Sequence, residues 1–131
     1  MNTSFPQLNL FVAWLWLFLG FASGIPLGLC FQRDDWLGGY ASLKRRLYRL
    51  GHISFFGLGA TNLLFYYTAQ VLHATGGSWR VASWAFVVGA ATMPLCCVLM
   101  AHWRGAQPLF GIPVVSLLTG AALTLWEITK L

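Results

Sequence analysis

At 131 residues, 58% hydrophobic, 16% aromatic and only 8% charged, the chain falls outside the composition of water-soluble domains, which carry roughly a quarter charged residues. The net charge of +5 does not point to nucleic acid, because the basic residues gather in one loop between apolar stretches, where membrane topology explains them. The length suits one domain, residues 1–131.

Residues 1–9 (MNTSFPQLN) are polar without side-chain charge, and residues 10–31 form the first predicted span. A basic leader and a small-residue cleavage site are both missing, so an uncleaved helix is expected rather than a secretory signal. Gly20, Gly24 and Gly28 recur every four residues in it, with Ser23 alongside. That spacing lays a smooth stripe along one face, suited to a closely packed neighbour. Pro26 should kink the same helix.

Gln32 to Leu50 is the one substantial connection. Asp34, Asp35, Gly38 and Gly39 signal a turn. Leu43, Leu47 and Leu50 then share one side of a helical pattern, with Lys44, Arg45, Arg46 and Arg49 largely on the other. This pattern predicts a short amphipathic segment at the lipid headgroups before the second helix.

The second predicted span, residues 51–74, is apolar yet carries His52, Asn62, Tyr66, Gln70 and His73. At about 100° per residue, all five fall with Gly59 inside about a third of the helix circumference. Polar groups in hydrocarbon need partners, so this seam is expected to face protein, a cofactor or trapped water. A Gly76–Gly77 hairpin leads to the third span, residues 81–103, which contains Pro94 and a cluster of Met93, Cys96, Cys97, Met100 and His102. The fourth span, residues 109–128, repeats small residues at Ser116, Gly120 and Thr124. Each span approaches the ~20 residues that a bilayer core requires.

The predicted fold is therefore an all-α membrane protein of four transmembrane helices in an antiparallel bundle. Arg33, Lys44, Arg45, Arg46 and Arg49 occupy the first loop, against Arg80 alone in the second. The first loop is thus expected on the cytoplasmic side of a bacterial-type inner membrane, with both termini on the outer, periplasmic side.

His52 precedes the glycine hairpin by about as many residues as His102 follows it, which predicts similar depth on facing helices. Two histidines so placed suit a haem b held from both sides, and either alone could ligate a chlorophyll-type pigment or a metal. Met93, Cys97 and Met100 are soft ligands of the kind that bind Cu(I), though such residues in an apolar helix commonly serve as packing, and no metal site is assigned. Tyr66, Asn62 and Gln70 could hold the carbonyls of a quinone, or simply bind helices together. No span carries a carboxylate at mid-depth, as proton- or sodium-coupled carriers usually do, and no catalytic set is evident.

These features predict a small accessory subunit of a respiratory or photosynthetic electron-transfer complex. Its partners would be membrane lipids and other transmembrane subunits, and His52, His102, Tyr66, Asn62, Gln70 and His73 would be the candidate cofactor-binding residues. The alternatives are a b-type cytochrome using His52 and His102, and a small channel or carrier oligomerising through Gly20, Gly24 and Gly28.

Overall fold

The computed structural model describes residues 5–130, and among them the regular structure is entirely helical. The first helix, α1, spans Phe5–Leu29 and therefore starts five residues before the predicted span. The expectation of a polar lead over residues 1–9 is corrected from Phe5 onward, and residues 1–4 lie outside the described part. Asn9 is the reason. Although polar, it is fully buried and partnered inside the bundle, so it belongs to the helix.

After a 3₁₀ turn at Trp36–Gly38, α2 runs unbroken over Leu43–Val71. Ser42 caps it, its side chain accepting a hydrogen bond from Arg45 N–H at 3.1 Å. The predicted headgroup segment is thus not a separate element but the first two turns of α2. Its expected two-sided character also fails, since Leu47 and Arg45 are both buried while Leu43 lies open.

The end of α2 follows backbone rules. His73 N–H bonds to Gln70 O at 3.2 Å and Ala74 N–H to Ala69 O at 2.8 Å, the paired closure of a Schellman motif. His73 holds the left-handed position of that motif at φ 47°, where glycine is usual. His73→Gly should relieve about 1–2 kcal/mol of backbone strain and give back about 1 kcal/mol to unfolded-chain freedom. A small rise in thermal stability in detergent is expected; a fall would reveal a stabilising contact of the imidazole.

Helix α3 spans Gly77–His102. A 3₁₀ stretch, Arg104–Phe110, then leads into α4 over Gly111–Ile128. Consecutive helices run antiparallel, as their contacts show. Going up α1, Asn9 meets Asn62, Trp16 meets Phe55 and Ser23 meets His52. On the next pair, Phe65 meets Phe86 while Tyr48 meets His102. On the last, Gly120 lies against Phe86 and Leu117 against Gly89.

The glycine stripe of α1 is used within the chain at two of its three positions. A Cβ at Gly20 would come within 2.9 Å of the Phe56 ring, and one at Gly24 within 3.3 Å of His52, whereas Gly28 meets nothing. The predicted four-helix bundle is realised as three mutually packed helices, α1 to α3, with α4 laid along α3. Helix α3 is central because it touches all the others.

Three segments are long and apolar enough to cross a membrane: Phe5–Leu29, Gly77–His102 and Arg104–Ile128. The protein is thus a membrane protein by length and composition of its helices. Helix α2 is longer than any of them at 29 residues, but its basic first turns and polar seam dilute its apolar character.

Candidate functional site

Three separate polar arrangements replace the single seam expected from sequence. The deepest joins α1, α2 and α3. Asn9 Nδ2 donates to Asn62 Oδ1 at 2.8 Å, Asn62 Nδ2 donates to Leu58 O at 2.9 Å, and Ser83 Oγ, within reach of both Asn9 Oδ1 and Phe5 O, gives its single proton to one of them. All three residues are fully buried and satisfied. Asn62 therefore serves helix packing, the role interhelical amides commonly take in membranes. Tyr66 is half-buried and stacks edge-on with Tyr67 at 5.3 Å, and Gln70 is exposed one residue before the helix ends. The expected quinone-binding trio of Tyr66, Asn62 and Gln70 is not brought together as one site. His73, also exposed, closes the helix backbone as described above.

The second arrangement is at the α1–α2 loop. Arg45 is only 2% exposed, in contrast to its expected place at the headgroups. Its guanidinium donates to Arg33 O at 3.1 Å and to Phe31 O, carbonyls just past the end of α1. Around it stand the rings of Tyr40, Trp36 and Phe31 at 5.1, 5.5 and 5.9 Å. Among the described residues the one ion pair is Lys130–Glu127, so no carboxylate balances Arg45. Carbonyl dipoles and ring faces hold the charge instead.

The third arrangement is a cleft of about 530 Å³ between α1, α2 and α3. Helix α1 contributes Trp16, Leu19, Ser23 and Leu27; α2 contributes Tyr48, His52 and Phe55; α3 contributes Pro94, Leu95 and Val98. Trp36, from the loop that wraps Arg45, lines it too. Its walls are largely apolar, and its size falls within the usual range for small-molecule sites. Proline shapes one wall. Pro94 has no N–H to give to the carbonyl of Ala90 one turn earlier, and Trp16 Nε1 supplies the missing bond at 3.0 Å. The indole thereby ties α1 to α3 across the cleft floor.

Both candidate histidines belong to this region, but they do not face each other through a shared partner. His52 turns toward α1, with Nδ1 2.8 Å from Ser23 Oγ and its ring edge-on to Phe56 at 5.4 Å. His102 is exposed and its Nε2 lies 2.8 Å from Tyr48 Oη. The register explains the difference. Helix α2 stops at Val71 while α3 starts at Gly77, so counting outward from the glycine hairpin treats residues 72–76 as helix when they are turn. His102 consequently pairs with Tyr48, one turn away from His52, and Gly51 beside His52 packs on Cys97 instead.

The two adjacent cysteines of α3 are both buried. Cys96 Sγ bonds to Leu109 O at 3.4 Å, Cys97 is fully buried, and no group of three or more histidine, cysteine or acidic side chains is gathered among the described residues. No protein-family model matches the chain, and neither the curated proteins nor the solved structures contain a match. The site must be read from its own chemistry.

Asn9, Ser83, Arg45 and the packing role of Trp16 escaped the sequence reading. Asn9 carried a usable signal, since it lies seven residues before Trp16 on one helical face. Ser23 stood visibly beside the glycine stripe, with nothing to indicate that His52 would seek it.

Proposed function

We propose that the chain is a small integral-membrane subunit whose α1–α3 cleft holds the polar head of an apolar molecule dissolved in the bilayer, an isoprenoid quinone or a lipid. It would do so as an accessory part of a larger electron-transfer assembly. The observation that carries this reading is the cleft itself: apolar walls of drug-sized volume interrupted by His52. Among the described residues no catalytic set accompanies it, which fits holding a molecule better than transforming one.

In this reading α2 also crosses the membrane, making four crossings. Its 29 residues exceed the length a bilayer core needs, and its polar groups at mid-length, Asn62 above all, are turned to protein. Arg33, Lys44, Arg46 and Arg49 still outnumber Arg80 across the membrane, which supports a cytoplasmic first loop and outward termini in a bacterial-type inner membrane. The outer face of α4 supports neighbours. Val115, Leu118, Leu125 and Trp126 are each more than 60% exposed, a strip for lipid or another transmembrane subunit.

The alternatives are less well supported. A haem held by both His52 and His102 would require His102 to leave Tyr48 and His52 to leave Ser23. Oligomerisation through Gly20 and Gly24 would displace Phe56 and His52 from them.

The test is extraction of the tagged chain from its native membrane in mild detergent. Co-migration with redox subunits is expected, together with bound quinone or lipid that falls at least tenfold in a Leu19→Trp variant whose indole fills the cleft. A monodisperse monomer with no such molecule bound would overturn the reading.

A further inference from the structure

Ser23 has one hydroxyl proton and two neighbours. Its Oγ donates to Gly20 O at 3.1 Å and lies 2.8 Å from His52 Nδ1. A carbonyl can only accept, so that approach is favourable only with the proton on the Gly20 side. Given the other way, the proton would leave two oxygen lone pairs facing each other. With the proton on the Gly20 side, His52 Nδ1 carries its own hydrogen and donates it to Ser23 Oγ. A neutral imidazole has a single N–H, so Nε2 is left as a bare acceptor.

No described residue donates to that nitrogen. Among the described residues, too, every buried side-chain nitrogen or oxygen has a partner. Nε2 is therefore not sealed in protein, and His52 lines the cleft. An acceptor at an apolar site calls for a donor. An oxygen that can only accept would set lone pair against lone pair in a place where water cannot easily relieve it.

Building on the cleft as a ligand site, we infer that its occupant is a hydroxyl-headed apolar molecule whose O–H donates to His52 Nε2. Hydroquinones and long-chain isoprenoid alcohols share that head, while quinones and ethers of the same body lack it. Ser23 is the positioning residue: it lines the cleft and acts through His52, fixing which nitrogen of the imidazole is free. Tyr48, one turn earlier on α2, lines the same wall and already shares its hydroxyl with His102.

The experiment uses the full chain with ¹⁵N-labelled histidine in phosphatidylcholine nanodiscs, whose lipids bring no hydroxyl head. The ¹⁵N resonances report the tautomer directly, and titration shifts of His52 Nε2 report binding. The probes are two matched pairs: decylhydroquinone against decylbenzoquinone, and farnesol against farnesyl methyl ether. Nε2 is expected to be unprotonated, and the donor member of at least one pair to bind about tenfold tighter than its counterpart, the scale of one net hydrogen bond. Preference in the first pair alone identifies a hydroquinone, and in the second alone an isoprenoid alcohol.

Ser23→Ala removes the acceptor that fixes the tautomer, so the Nε2–H form should appear and the preference should shrink severalfold with the fold intact. Equal binding of donor and non-donor, or a protonated Nε2 in the parent protein, would overturn the inference and leave the cleft reading standing. Failure of all four probes to bind would overturn both.

Discussion

Arg45→Ala is expected to destabilise the protein by about 3 kcal/mol. Two hydrogen bonds from a charged donor are lost, each worth about 1.5–3 kcal/mol, and the freed carbonyls of Phe31 and Arg33 need new partners. Loss of three ring contacts adds to this. Against these stands the cost of keeping a cation 2% exposed without a carboxylate, which the wild type bears and the alanine variant does not. That opposing term is why the estimate stays well below the sum of the contacts. Arg45→Lys should recover little, because an ammonium cannot lie flat among three rings while reaching two carbonyls. Arg46→Ala, one residue along and exposed, should change stability by less than about 0.5 kcal/mol. Equilibrium unfolding in detergent micelles measures all three, and trypsin access at Arg33 reports the loop itself. An Arg45→Ala variant as stable as Arg46→Ala would mean that the guanidinium does not organise the loop.

The second large effect lies at Asn9. Asn9→Ala removes the side chain that hydrogen-bonds α1 to both Asn62 of α2 and Ser83 of α3, leaving Asn62 Oδ1 without its donor. Hydrogen bonds between helices in membranes average only about 0.6 kcal/mol, with maxima near 1.7. A buried polar group stripped of its partner, however, costs about 1–3 kcal/mol. The stranded partner therefore dominates, and a loss of about 2 kcal/mol is expected. The triple variant Asn9→Leu, Asn62→Leu, Ser83→Ala removes the network together with its orphans, so it should be more stable than Asn9→Ala alone. The same unfolding measurement decides. If the triple variant loses the sum of three separate effects, the residues act independently and the network is not a unit.

How far the sequence revealed these features depends on whether they rest on periodicity or on partners. Helix positions came through because apolar runs and punctuation such as the Gly76–Gly77 hairpin are local signals. The close-packing role of Gly20, Gly24 and Gly120 was legible for the same reason. Depth matching of His52 with His102 failed because it assumed helix on both sides of a turn whose residues 72–76 are not α-helical. The polar seam was visible, but its division was not: Asn62 met Asn9, His52 met Ser23, and Gln70 was left near the helix end in the open. A helical wheel gives a residue's direction, whereas the partner comes from another helix with its own rotation. Arg45 was misjudged through its neighbours, since a run of four cations in six residues reads as a solvated face. Only the fold of the loop over it shows that one of the four is swallowed.

Helix α4 contributes nothing to the walls of the cleft, while α3 stands between them. Leu95 and Val98 of α3 look one way into the cavity, and Gly89 and Phe86 look the other way to Leu117 and Gly120. Under the proposed function the molecule would thus be two-sided, with a cargo flank and a mooring flank separated by a single rod. A neighbouring subunit could tie up along the mooring flank, or be exchanged for another, without crowding whatever rides on the opposite side.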